Sequence, residues 1–555
     1  VLRWAAASGC SPVEAALTVL GGPERPEALR PIEPDPWLAG QVYERLLAPR
    51  VRRARGAHFT PRDIAVALAD RVLAPWLAAG TVPTVCDPAM GAGAILLAVA
   101  DRLAAAGYER ADVVAALHGA DLDPDAVRVA RAALARWGGV VEADLADRLV
   151  VADSLVSGAA CWSAGSAPFD VVIGNPPFLS QLGATTSRSA DHHAAARELL
   201  DGRAGGYADT AGLFLLRSVG LTRPGGRTAM LQPMSLLATR DAAPVRASLV
   251  AAGVTEVWVG GAGVFQASVR VCAPILTPGV PPDGPVTVLT GPELAEVAQV
   301  PLPDDPAAPW GAMAAVVAGV PQVRLRSSGT VADLATATAG FRDLFYALAA
   351  VVRAADSSDD LPVVTAGLID PLASRWAMAD TRLGGVRIHR PALPVAAVAG
   401  LPGRLPAWVE GRLVPKLLVA TQTRVLEALP DPEGRLVPCT PVISVEPRSS
   451  ADLWHLAAVL TAPPVSAWSA RLTAGAALGG DALKLSARQL LTIPLPADRP
   501  AWDEGAVLAR SVTAATDVDE RRGLLAELGG VMARAYGSRD EGLVAWWRDR
   551  LPERA

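Results

Sequence analysis

From Thr84 to about Pro278, short apolar runs alternate with amphipathic stretches of helical period, and the early runs end on Asp or Asn. No other feature restricts the fold of this chain so tightly. The runs are TVCD, LHGADLD, RLVVADSL, FDVVIGN, GGRTAMLQP, GVTEVWVG and VRVCAPILT. Segments such as GAILLAVADRLAAAG and PDAVRVARAALARW lie between the early ones. Strands separated by helices pair through crossovers, which predicts an α/β domain with a mostly parallel sheet covered by helices. In such sheets ligands sit beyond the carboxyl ends of the strands. The residues that end each run are therefore the first candidates for function.

The stretch VCDPAMGAGAILLAV ends a strand on Asp87 and opens a helix near Gly93. Gly91 and Gly93 carry no Cβ, so the backbone can approach a ligand closely. The dinucleotide fingerprint G-x-G-x-x-G is not met, because Leu96 stands at the third small position. Asp121 ends the next run, where a carboxylate can accept from both hydroxyls of a ribose. Asp153, followed by Ser154, ends the third, where it can accept from an adenine amino group. Taken singly, each of these is also an ordinary strand-ending turn or helix cap.

FDVVIGNPPF is far more restricted. Pro176 and Pro177 fix two φ angles and donate no hydrogen bond. The residue before each proline is pushed into an extended conformation. Asn175 thus presents its amide oxygen and nearby carbonyls as acceptors for one amino group, and Phe178 adds a flat face beside them. An amino group conjugated to a ring is a poor nucleophile. Fixed acceptors favour its pyramidal, attacking form by electrostatic preorganisation, and no strong base is required.

In these motifs the chain resembles the class I S-adenosylmethionine-dependent methyltransferases, specifically the amino-group enzymes with an Asn-Pro-Pro-aromatic signature. The order GAHFTP, DPAMGAGAIL, ADLDP, VVADSL, IGNPPF and then a large C-terminal segment is similar to that of the γ-type DNA adenine-N6 methyltransferases of restriction-modification and phage-defence systems. The resemblance implies a Rossmann-like, mostly parallel seven-stranded sheet followed by an α+β target-recognition domain. It implies that His58, Phe59 and Thr60 close over the methionine part of S-adenosylmethionine, and that Asp87, Pro88, Ala89, Gly91 and Gly93 hold its amino-acid end. Asp121 would hold the ribose, Leu122 would lie beside the adenine ring, and Asp153 with Ser154 would take the adenine amino group. Asn175 and Pro176 would accept from the target N6, Pro177 would brace them, and Phe178 and Phe265 would pack on the flipped base. Met90 departs from the Cys or Ser common in the family, and a side chain there packs behind the loop. Phe214 and Tyr207 read as core residues.

The implied organisation is an N-terminal helical segment over 1–55, a catalytic domain over 56–278 and a boundary region over 279–330. A recognition domain over 331–497 and a helical tail over 498–555 follow. Within the recognition domain Arg382, Arg387, Arg390, Arg412, Lys416, Arg424, Lys484 and Arg488 are candidates for DNA contacts. The chain of 555 residues has a net charge of −5, so any basic surface is local. Only Lys416 and Lys484 are lysines, so phosphate contacts fall mostly to arginine. Five scattered cysteines and six histidines show no metal spacing. No apolar run approaches the ~18 residues of a membrane span, and the opening residues lack the pattern of a secretory signal. A cytoplasmic enzyme acting on duplex DNA is expected, with cleavage, if the system has it, on a separate nuclease or defence subunit. The motifs alone leave open an RNA or protein-glutamine target, or a non-catalytic DNA-binding subunit with the same fold.

Overall fold

The structure is a computed structural model that describes residues 4–5, 8–21, 26, 29, 33–47, 60–163, 166–178, 190–201, 209–261, 270–281, 284–340, 342–475 and 482–552. The chain divides into two compact units, Val1–Val317 and Ala318–Ala555.

In the first unit every one of the seven expected runs contains a strand: β1 (Val85–Asp87), β2 (Leu117–Asp121), β3 (Leu149–Val151), β4 (Phe169–Gly174), β5 (Thr222–Met230) with the short β6 (Gln232–Pro233), β7 (Val254–Val259) and β8 (Val271–Leu276). Two more, β9 (Val286–Thr290) and β10 (Ala295–Val300), extend the sheet. The strand order is β10-β9-β7-β8-β5-β4-β1-β2-β3, with β6 paired to β8. β3, β2, β1, β4 and β5 run parallel, and β8 is antiparallel to both of its neighbours β5 and β7. The expected mostly parallel sheet of seven strands is thus present and widened to ten. The division between units falls inside the stretch 279–330 expected as a boundary, but the first part of that stretch forms β9 and β10 rather than a linker.

Helices α1 (Pro12–Val19), α2 (Pro36–Leu46), α3 (Arg62–Ala79), α4 (Ala94–Ala105) and α5 (Pro124–Gly138) pack into one apolar core with the sheet. The N-terminal helices are part of this unit and not an appendage. Asp101 on α4 accepts from the indole of Trp37 on α2 at 2.9 Å and from that of Trp137 on α5 at 2.8 Å. One half-buried carboxylate therefore locks three helices together, and charge-assisted bonds of this kind are about twice as strong as neutral ones. α5 begins as its sequence predicts: Asp123 caps by accepting from Asp125 N, Pro124 takes the first turn, and Gly139 ends it with φ +66°.

The second unit is α+β. Strands Ala335–Ala339, Ile443–Pro447, Lys416–Val419 and Ala428–Asp431 form an antiparallel sheet. Leu417 and Val445 of this sheet share a core with Leu456, Leu525, Met532 and Trp547. The helical tail, Arg499–Ala514, Val518–Ala535 and Glu541–Arg548, is thereby built into the same core as the sheet.

Lys416 departs from its expected role. Its side chain is 0% exposed and its ammonium pairs with Asp431, itself 4% exposed. Burial holds the ammonium pKa below its ordinary value, and Asp431 opposes that shift. A lysine so enclosed cannot reach a phosphate. It is a structural ion pair, further satisfied by backbone N–H groups of Arg435 and Leu436 on Asp431 at 3.1 and 2.9 Å. Removing one partner of a buried pair strands the other. Lys416→Ala is expected to lower the unfolding free energy by about 3 kcal/mol in urea titration, whereas exposed Lys484→Ala should stay within about 0.5 kcal/mol.

Candidate functional site

Strand order reverses between β1 and β4: β2 and β3 continue to one side of β1, and β4 and β5 lie on the other. A crevice opens at such a switch point beyond the carboxyl ends of the strands. A cavity of about 460 Å³ occupies it. Of the residues expected to bind or react, Thr60, Asp87, Pro88, Ala89, Gly91, Asp121, Leu122, Asp153, Ser154, Asn175 and Pro177 line this cavity. Gly93, Pro176 and Phe178 flank it in sequence without lining it. His58, Phe59, Tyr207 and Phe265 lie outside the described residues.

Asp87 forms the floor. It is 1% exposed, and Oδ1 accepts from Ala89 N at 3.0 Å. Burial pushes its carboxyl pKa up to about 8, against the Ala89 hydrogen bond and with the nearby charge of Asp121. The turn that follows uses glycine where it must: Gly91 has φ +52° and Gly93 φ +87°. Gly91 N donates to Asp121 Oδ2 at 2.9 Å, and Asp123 N donates to Oδ1 at 2.9 Å. These bonds fix the Asp121 carboxylate at the rim. Leu122 beside it is 64% exposed, an unusually open position for a leucine next to a cavity. Met90 is 4% exposed and packs toward β2, where a Cβ on Gly119 would collide with its sulfur. The room that Gly119 leaves is what accommodates the long Met90 side chain behind the loop.

On the far wall Asp153 caps the turn Ser154–Ser157 through Val156 N at 3.2 Å. Ser154 donates from its hydroxyl to the carbonyl of Pro88, tying this wall to the floor loop. The second carboxylate oxygen of Asp153 lies 2.9 Å from His192 Nε2 on the helix Ala190–Leu199. The hydroxyl of Tyr43 on α2 donates to the Asp123 carboxylate, and Tyr43, Glu44 and Leu47 line the cavity. Neither His192 nor α2 was legible as part of the site. Both reach it by tertiary packing from segments whose local pattern reads only as helix. Phe214, 7% exposed and read as core, also borders the cavity.

At the opposite lip β4 delivers Gly174 and then Asn175. Thr60 does not cap α3, which starts from Pro61 without a side-chain cap. Its hydroxyl instead accepts from Asn175 Nδ2 at 3.0 Å. With the amide's donor end turned to Thr60, its oxygen end is turned the other way. Phe178 packs against the first unit's core. A Cβ on Gly174 would stand 2.6 Å from Asp87 Oδ1, so the residue that leads into the Asn-Pro-Pro turn can lie against the floor carboxyl only because it is glycine.

Among the described residues no group of three His, Cys, Asp or Glu side chains is placed to hold a metal ion, and no helix is long and apolar enough to cross a membrane. The other basic candidates lie in the second unit. Arg382, Arg387, Arg390, Arg424, Lys484 and Arg488 are exposed. Arg412 is engaged: it pairs with Glu446, and its guanidinium lies over Trp408.

Residues 35–289 match the N-6 DNA methylase family. No curated protein sequence matches the chain. Among solved structures, a DrdV–DNA complex aligns at a TM-score of 0.50 and 13% identity over 86% of this chain and 59% of that one. The type IIG restriction endonuclease BpuSI aligns at 0.41 and 13% over 93% and 68%. A type I restriction-modification methyltransferase subunit from Streptococcus thermophilus aligns at 0.34 and 17% over 49% and 56%. The chain spans about half the length of the type I subunits it matches. At these identities the likeness is one of fold.

Gly174→Ala is expected to lower the unfolding free energy by about 1–3 kcal/mol through overpacking. In an Asp87→Ala background the cost should fall by about 1 kcal/mol or more, because the colliding oxygen is gone and only the flexible end of Met230, 3.0 Å from the new Cβ, has to give. A urea-denaturation cycle of the four proteins measures both.

Proposed function

We propose that this chain, whose residues 35–289 match the N-6 DNA methylase family, transfers a methyl group from S-adenosylmethionine to N6 of an adenine flipped out of duplex DNA. We propose further that it is the modification component of a restriction-modification or phage-defence system, with any cleavage on another polypeptide. The observation that carries the reading is that Asp87, Asp121, Asn175 and Pro177 line one cavity, with Gly174, which leads into the Asn-Pro-Pro-Phe turn, lying close to Asp87.

The residues present fit the cofactor. A protonatable buried carboxyl at Asp87 suits its ammonium group, and the positive-φ turn at Gly91 and Gly93 leaves the backbone bare for close approach. Asp121 suits a ribose, exposed Leu122 suits one face of a purine, and Asp153 with Ser154 suits the purine's amino edge. When bound, S-adenosylmethionine supplies an electrophilic methyl group. The chain's own work is at the other lip. Asn175, oriented by Thr60, accepts with its amide oxygen from the target amino group, and the Pro176 carbonyl accepts beside it. Both bonds strengthen as the nitrogen becomes pyramidal and positive, so they stabilise the transition state more than the ground state. Phe178 and Phe265 are assigned to the face of the extruded base, and Pro177 braces the turn. Flipping costs a few kcal/mol, offset by stacking and pocket contacts.

The test is transfer of labelled methyl from S-adenosylmethionine to duplex DNA, with N6-methyladenine identified in the digested product. Asn175→Ala should lower kcat by about 10²–10³ with little change in cofactor KM. Transfer to RNA or to protein, but not to DNA, overturns the reading.

Asp87 gives a second prediction. With its pKa near 8 it is mostly protonated at pH 7 without cofactor. An ammonium group favours the carboxylate, so binding at pH 7 should release close to one proton. Calorimetry in buffers of different ionisation enthalpy reads this number, and Asp87→Asn should abolish it. The sign for stability follows from the same shift. The folded state holds this proton more tightly than the unfolded chain, so the cofactor-free protein loses stability as pH rises from about 4 toward 8.

A further inference from the structure

In the second unit, strands Asp380–Leu383 and Val386–His389 pair antiparallel with Leu383 opposite Val386. Gly384 and Gly385 alone make the turn, with φ +57° and +86°. Positive φ at both positions is what a tight two-residue hairpin of type I′ requires. Side chains alternate between the two faces of such a ribbon. Leu383, 1% exposed, and Ile388 join a core with Leu348, Val363 and Leu393, and Thr381 shares a hydrogen bond with Thr365 at 2.8 Å. That face is held down by packing. Asp380, Arg382, Arg387 and His389 therefore stand on the opposite, outward face.

Arg382 and Arg387 are direct cross-strand partners on that face. Like charges placed opposite each other destabilise a sheet. Compensation is partial: Arg387 Nε lies 2.9 Å from Asp380, a carboxylate also 3.0 Å from His389, while among the described residues Arg382 has no acidic partner. Arg387 remains 75% exposed. Arg390 follows at once, its guanidinium 5.1 Å over the ring of Trp376. Residues 375–390 hold four arginines against one aspartate; Arg375 pairs with Asp370 just outside that stretch, which leaves three arginines against Asp380, on a chain whose net charge is −5. A basic cluster of this density on an acidic chain, with its two central charges set against each other, matches a ligand of closely spaced negative charge. A two-stranded ribbon also has the width that the major groove of B-DNA admits.

We propose that the hairpin Asp380–His389 enters the major groove of the target duplex, with Arg382 and Arg387 contacting base edges and phosphates and Arg390, braced by Trp376, holding the flank. This rests on the reading of the chain as a DNA methyltransferase and adds the element that recognises the site. Arginine's forked guanidinium can bind a guanine edge in two places, and lysine cannot reproduce that.

The experiment uses the full-length protein and a duplex carrying its methylation site, found by sequencing methylated DNA. R382A/R387A should bind the duplex at least tenfold more weakly, with the slope of log K against log salt reduced by about one to two. Its Tm should be unchanged or raised, since a repulsive pair is removed. R382K/R387K should keep the salt slope and methylate a broader set of sites. R510A, exposed on the helix Arg499–Ala514, should match wild type in all three. If the wild type methylates duplex DNA while R382A/R387A keeps its affinity, slope and site preference, the hairpin proposal is overturned and the methyltransferase reading stands. If the wild type neither binds nor methylates duplex DNA, both are overturned.

Discussion

The parallel register of β1 between β2 and β4 is the constraint on which the site depends. Cys86 lies opposite His118 on one side and Val172 on the other. Those pairings bring the strand ends at Asp87, Asp121 and Gly174 to one edge. A slip of one residue would turn every side chain to the wrong face. Each chemical group at that edge is then held by a bond that only this register permits: Asp121 by Gly91 N, Asn175 by Thr60, and Ser154 to Pro88. The helices do not make the site so much as hold the sheet that does.

Much of this was legible in sequence, and the reason is local. Strand ends marked by Asp or Asn and followed by Pro or Gly are dictated by backbone chemistry, which neighbours cannot easily override. The Asn175 turn and the Asp87 loop belong to this class. What was not legible depends on long-range packing. α2 reaches the cavity because Trp37 is tied to Asp101, a partner 64 positions away. His192 reads as one of two adjacent histidines in a polar helix, and only the fold brings it to Asp153. Thr60 has the sequence of a helix cap, yet the competing amide of Asn175 takes its hydroxyl. β9 and β10 hide in a stretch rich in Pro and Gly, whose composition reads as a boundary.

Lys416 and the exposed arginines show how differently two cations of one sign behave. The flexible stem of lysine can coil inward to meet Asp431, and its point charge is satisfied by one carboxylate and a carbonyl. Arg382 and Arg387 spread five donors each over a plane, more than one aspartate in reach can satisfy. In sequence all three look alike, as cations in a strand. Only burial separates the structural one from those still available to a partner.

The packing of Met90 against Gly119 ties the loop after β1 to the strand beside it. Space left open at Gly119 is filled by the Met90 thioether, so position 119 cannot gain a side chain unless position 90 loses volume. A side chain added at 119 would drive the sulfur from its place, and with it the loop that carries Gly91 and Gly93 past the cavity.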